Sequence, residues 1–239
     1  NGALATTVAD AALMLSVLAD RPGLASVSEP ASMRVAVSTR APVAGTPLDK
    51  HWAAGLRETA DLLRGAGHTV LEQDPPYGQL LGLREIARWT AGTELDAQTE
   101  IVDRDALEPR IRRHARAGRT LLALGFPKES GRRAWQRRAD RFFADLDVLV
   151  TPTLAQPPLE AKAWSQRGWL VNLISNARYA PFAAPWNLAG WPAMSVPAGL
   201  DPRGLPLGVQ LVGKPGSEGQ LLALAAQLEQ LRPWPRTSG

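Results

Sequence analysis

The chain contains no cysteine, which rules out disulfides and thiolate-bound metal. Lysine is scarce, limited to Lys50, Lys128, Lys162 and Lys214, so the basic side of the charge balance is almost wholly arginine. Histidine is limited to His51, His68 and His114, with no H-x-x-x-H or H-E-x-x-H spacing to hold zinc on one helix face. No apolar run reaches the roughly 18 residues of a membrane span, and the start of the chain lacks a basic-then-apolar signal layout. These absences make the cytoplasm the expected compartment and exclude a membrane partner. The surplus of 27 Lys and Arg over 23 Asp and Glu, net +4, is too mild to point to nucleic acid.

What remains is a globular composition: 239 residues, 45% hydrophobic, with 20 prolines and 21 glycines that call for many loops. Val8, Ala11, Ala12, Leu15, Leu18 and Ala19 recur at helical spacing, and Thr7-x-x-Asp10 fits a capping box. Met33 to Ser38 alternates as a strand does. Thr46-Pro47-Leu48-Asp49 reads as a helix start running to about Ala66, with Gly67 suited to its C-terminal turn. His68 to Gln73 is the next strand, so residues 33–73 form a βαβ unit with parallel strands. Residues 78–145 are helical by pattern, with breaks near Asp103–Pro109 and Gly125–Pro127, and lead into a strand from Asp147 to Thr151. A proline-rich loop at 152–168 and a mixed helical stretch at 169–180 follow. Two short apolar runs, 193–196 and 207–212, flank a turn containing Asp201-Pro202-Arg203-Gly204. A closing helix is capped at Ser217 and places Leu221, Leu224, Ala225, Leu228 and Leu231 on one face. This order of elements describes an α/β layered sheet.

Local patterns offer little chemistry of their own. G-x-S-x-G is absent, and Ser195 falls inside a strand with no turn to expose its hydroxyl. The three histidines sit among Arg, Lys or Glu and read as surface or structural residues rather than triad members. The arginines between Arg104 and Arg141 are interleaved with Asp103, Asp105, Glu108, Glu129 and Asp140, the pattern of a solvated helical face rather than a nucleic-acid groove. Trp186 and Trp191 flank Asn187, where they either line an apolar pocket or serve as packing.

Three stretches, in order, carry a resemblance. Gly2-Ala-Leu-Ala-Thr-Thr-Val-Ala-Asp-Ala-Ala-Leu opens the chain, Asp147-Val-Leu-Val-Thr-Pro-Thr153 lies in its middle, and Asn187-Leu-Ala-Gly-Trp-Pro-Ala-Met-Ser-Val-Pro with Gly204-Leu-Pro-Leu-Gly-Val-Gln-Leu-Val-Gly213 lies near its end. Together they resemble the amidase-signature hydrolases. The resemblance implies a layered α/β/α fold with a mixed sheet, and cleavage of a C–N amide bond with no cofactor. It also implies that residues 1–239 are the C-terminal part of one such domain. The family's nucleophilic serine, its cis-linked second serine and its lysine belong upstream of the helix with which this chain begins, as does the glycine- and serine-rich oxyanion loop. Those catalytic groups are therefore expected in the missing N-terminal half of the same enzyme.

The same resemblance implies that Ala177, Ala180, Ala183 and Ala184 face the acyl part of a small-molecule amide, with Thr151, Trp186, Asn187 and Trp191 as further expected site residues. Their small apolar side chains suit an uncharged acyl or aryl group. The family's amidotransferase subunits carry an acidic residue seven before the Asn; Ala180 stands there, which disfavours that reading. An inert binding protein that kept the pocket is the other alternative, and a homo-oligomer is left open. Ala3 and Thr6 depart from the family's usual Pro and Arg.

Overall fold

The computed structural model of the chain describes residues 2–100 and 103–236, so the ends of the expected unit, Asn1 and 237–239, lie outside the described residues. Its centre is a mixed sheet of β1 (Arg34–Val37), β2 (Thr69–Glu72), β3 (Val148–Pro152), β4 (Ala193–Leu200) and β5 (Pro206–Gly213), in the order β2-β1-β3-β5-β4. β1 runs parallel to β2 and β3, with α2 (Lys50–Gly65) as the crossover of the βαβ unit. β5 runs antiparallel to β3 and β4.

Strand residues alternate between two cores, as the pleat demands. Val35, Val37, Val148, Val150, Val209 and Leu211 face α1 (Val8–Leu18), α2 and α8 (Glu218–Leu231). Ala36, Leu149 and Val212 face the opposite way, toward α5 (Glu129–Phe142) and α7 (Ala184–Ala189). The expected α/β/α layering is therefore present. Outside the second layer, α3 (Leu81–Thr99) and α4 (Pro109–Ala123) pack as a hairpin, and α6 (Trp169–Tyr179) lies beside α4.

Several local expectations need correction. The helix expected from Thr46 starts at Lys50: Asp49 accepts from His51 N at 2.8 Å, while the Asp49 N–H is held 2.8 Å from the Ala155 carbonyl across the fold. Asp49 itself is extended, at φ −63° and ψ 140°, so the helix does not run back through it to Thr46–Leu48. Thr7 does cap α1, but the Asp10 carboxylate takes the Thr7 hydroxyl proton, and the Val8 N–H goes to Glu229 Oε2 instead. The Ser217 hydroxyl does not cap α8; it turns back to the Lys214 carbonyl at 2.7 Å. Ser195, expected to be hidden, is exposed, because among the described strands β4 pairs only with β5 and forms the sheet's edge.

The arginine-rich region is not simply a solvated face. Two of its members, Arg104 and Arg119, converge on the fully buried carboxylate of Glu94, at 3.0 and 3.1 Å, and Gln98 Nε2 adds a bond at 2.8 Å. Burial alone would raise the Glu94 pKa, but the bonds from Gln98, Arg104 and Arg119 outweigh it and hold the carboxyl below its ordinary range. Next to this node Gly118 of α4 sits directly against the Thr90 carbonyl of α3, where a β-carbon would collide.

Ala is the better helix former by about 1 kcal/mol, yet Gly118→Ala must push the hairpin apart. We expect a net loss of about 1–3 kcal/mol, read as a lowered Tm; a raised Tm would show that the close approach does not matter.

Candidate functional site

α7 is six residues long, too short to persist without outside support. α5 supplies it. Trp135 Nε1 donates to the Pro185 carbonyl at 2.7 Å, Gln136 Nε2 to Ala189 at 2.8 Å and Arg132 Nε to Leu188 at 3.0 Å. The remaining carbonyls at the end of α7 are met by main-chain donors: Gly190 N reaches Trp186 and Asn187 at 2.8 and 3.2 Å, with Gly190 in the left-handed conformation at φ +73°. Trp186, 0% exposed, packs between Trp135 (5.4 Å between ring centres), Phe143 (5.9 Å) and Trp191 (5.9 Å). The two tryptophans that flank Asn187 are thus core packing that anchors α7, not an exposed pocket wall. Burial of their large rings against α5 is the stronger demand.

The other expected site residues are gathered around the same short helix. Ala180 and Asn187 are exposed, whereas Ala177, Ala183 and Ala184 are half-buried. Thr151 is fully buried at the end of β3. The loop that follows it is hooked to the end of α6, where Ala155 N donates to the Tyr179 carbonyl at 2.9 Å. Gln210 of β5 bridges the same two segments, donating to Thr151 Oγ1 at 3.3 Å and to the Phe182 carbonyl at 3.2 Å. These bonds tie the end of β3 and the 152–155 loop to the stretch that carries Ala180, Ala183 and Ala184; Thr151 and Ala155 are themselves buried, and Asn187 is exposed on α7. Two open depressions lie elsewhere, one beside Arg34, Asp145 and Lys214, the other beside Asp74, Tyr77 and Arg138.

Two of the three histidines, His68 and His114, are held in structural roles. His68 Nδ1 accepts from Met33 N at 3.1 Å and Nε2 lies 2.7 Å from Gln227 Oε1. His114 Nδ1 accepts from Trp169 Nε1 at 2.8 Å, with its ring between Trp89 and Trp169. Among the described residues no cluster of three or more His, Cys, Asp or Glu side chains is placed to hold a metal ion, and no helix is long and apolar enough to cross a membrane.

Residues 1–222 match the family model described as Amidase. The chain belongs to the amidase family. It is 37% identical over 249 residues to the putative amidase AmiB2 of Mycobacterium tuberculosis, which covers 98% of this chain and 52% of that protein. It is 31% identical over 272 residues to the 6-aminohexanoate-cyclic-dimer hydrolase of Pseudomonas sp. (strain NK87), with 98% and 54% covered. A solved structure of 6-aminohexanoate cyclic dimer hydrolase complexed with substrate superposes with a TM-score of 0.68 at 27% identity, over 95% of this chain and 54% of that one. The chain spans about half the length of the curated relatives it matches.

Two groups in this amidase-family chain escaped the sequence pattern. Glu85 of α3 carries a carboxyl that burial pushes up to about 8, and Oε1 has no partner. The Tyr77 phenol is raised as well, by burial first and then by the charges of Glu85 and Asp74. Neither shows a motif, because what makes them unusual is burial brought about by the fold, with Tyr77 packed against Trp135 of α5.

The raised Glu85 favours the folded state below the ordinary carboxyl value of 4.5, and that contribution is lost as pH rises through about 8. Glu85→Gln should therefore melt higher than the wild type at pH 9 and lose the difference near pH 4; equal melting at pH 9 would contradict the burial argument. His114 has the opposite sign. Burial lowers its pKa from 6.5, so its stabilising contribution is lost as pH falls from 6.5 through the lowered folded value. The proton would displace the Trp169 N–H and release the start of α6. Acidification should change tryptophan fluorescence in the wild type but not in His114→Phe, which keeps the ring stack without an acceptor; the same acid step in both proteins would refute it.

Proposed function

We propose that these residues form the acyl-binding wall, and about half of the sheet, of an amidohydrolase that cleaves the C–N bond of non-peptide carboxylic amides. The observation that carries this reading is the stretch of Ala180, Ala183, Ala184 and Asn187, all at least partly exposed and tied to the loop after Thr151 by the Ala155–Tyr179 bond. It offers small, uncharged side chains to an acyl group, and no charge that would select glutamine. Membership of the amidase family supports the reaction class, and one relative is named a 6-aminohexanoate-cyclic-dimer hydrolase.

In the mechanism that the family resemblance implies, a neutral lysine accepts a proton through a cis-linked serine, and a second serine attacks the amide carbonyl. Backbone N–H groups hold the oxyanion. The amine leaves with a proton, and water then cleaves the acyl-enzyme ester to the acid. The two serines and the lysine are proposed to lie in polypeptide outside residues 1–239. The free edge of β4 and the exposed Leu13, Met14, Val17 and Leu18 of α1 suit a covering layer supplied by that polypeptide.

Purified 1–239 and the product of the whole reading frame can be compared with a serine-reactive fluorophosphonate and a panel of aryl and aliphatic amides. The reading expects labelling and turnover only in a longer polypeptide. Labelling of a serine within 1–239 alone, with hydrolysis, would overturn it.

A further inference from the structure

Gln210 occupies a position where an apolar residue would be ordinary. It lies on β5 with Thr151 of β3 opposite on one side and Ser195 of β4 opposite on the other. Residues in register share a face of the sheet. That face is the one whose next position along β5 is Val212, in the core against α5 and α7. Gln210 is 4% exposed, and an amide buried without partners would cost several times a typical net hydrogen bond, about 1 kcal/mol. Its position therefore demands that both N–H groups be used.

Both are. One donates to Thr151 Oγ1 at 3.3 Å and the other to the Phe182 carbonyl at 3.2 Å. The Thr151 hydroxyl sends its own proton to the Pro152 carbonyl at 3.1 Å, which leaves a lone pair to accept from the carboxamide. Phe182 precedes α7, whose first main-chain acceptor is Ala183, so the Phe182 carbonyl is free of the helix ladder. The carboxamide thus spans from the head of one site wall to the peptide immediately before Ala183 and Ala184 in the other.

We propose that Gln210 is a positioning residue for the acyl site, a strut whose two N–H bonds set the separation of the Thr151 wall from the Ala183–Ala184 wall and so the size of acyl group accepted. This rests on the amide-hydrolase reading above. Gln210→Met keeps the length and removes both donors. Gln210→Glu keeps the shape but turns an oxygen toward the Phe182 carbonyl.

The test uses the protein expressed from its own whole gene and has two arms. In hydrogen exchange, Gln210→Met should speed exchange of the 183–187 amides about tenfold or more, with α2 and α8 unchanged. Unchanged exchange at 183–187, or equal acceleration through the whole sheet, would overturn the strut whatever the activity. In kinetics on amides graded in acyl size, both variants should raise KM about tenfold for the preferred acyl group, alter kcat less than about threefold, and shift the preferred size. An equal loss on every acyl group would mark a merely structural role and overturn the proposal. If the wild type turns over no amide, the functional reading fails, while the exchange arm still decides whether Gln210 holds the two walls.

Discussion

Three side chains of α5 hold α7 by its carbonyls, and the placement of the candidate site depends on that hold. A six-residue helix cannot close enough of its own hydrogen bonds to persist. Arg132, Trp135 and Gln136 supply donors to Leu188, Pro185 and Ala189, and Gly190 turns the chain so that its N–H closes the rest. The same Trp135 that donates also stacks against Trp186, so one residue contributes both the directional bond and the apolar contact. The rigid seat lies beneath the helix, and the residues left facing outward are small.

From that seat the geometry propagates to the sheet. β4 leaves the end of α7 and pairs with β5; β5 pairs with β3; the loop after β3 returns to Tyr179. The chain thus closes a circuit through α6, α7 and three strands, with Gln210 bridging its middle. Beyond the circuit, the α3–α4 hairpin is fastened by the Glu94 node, and α6 is anchored at its start by the Trp169–His114 bond. These fastenings are polar and partly buried. Each responds to pH in a direction fixed by the group at its centre.

Much of the sheet was legible because its cause is local. Val35 and Val37 alternate with Ala36, and strand, helix and strand in 33–73 leave only one arrangement for two parallel strands. The layered α/β/α architecture followed from residue order and resemblance. What stayed hidden depends on distant partners. Nothing near Thr46 announces that Asp49, rather than Thr46, will stand extended as the cap of α2. Glu94 becomes a buried acceptor only because Arg119, 25 positions away, folds back to it. Trp186 and Trp191 could be pocket or packing until Trp135 and Phe143 were placed beside them. α7 itself is too short to show a period.

The account's central claim is that the loop after Thr151 and the segment around α7 together receive the acyl group of an amide. Photo-crosslinking reads this directly. A small uncharged amide carrying a diazirine on its acyl chain would be irradiated with the protein from the whole gene, and the adducts located by mass spectrometry. The account predicts adducts in 151–158 and 177–187 that an unlabelled amide competes away. Competable adducts confined to the α3–α4 hairpin, or to the depressions beside Lys214 and Arg138, would contradict it.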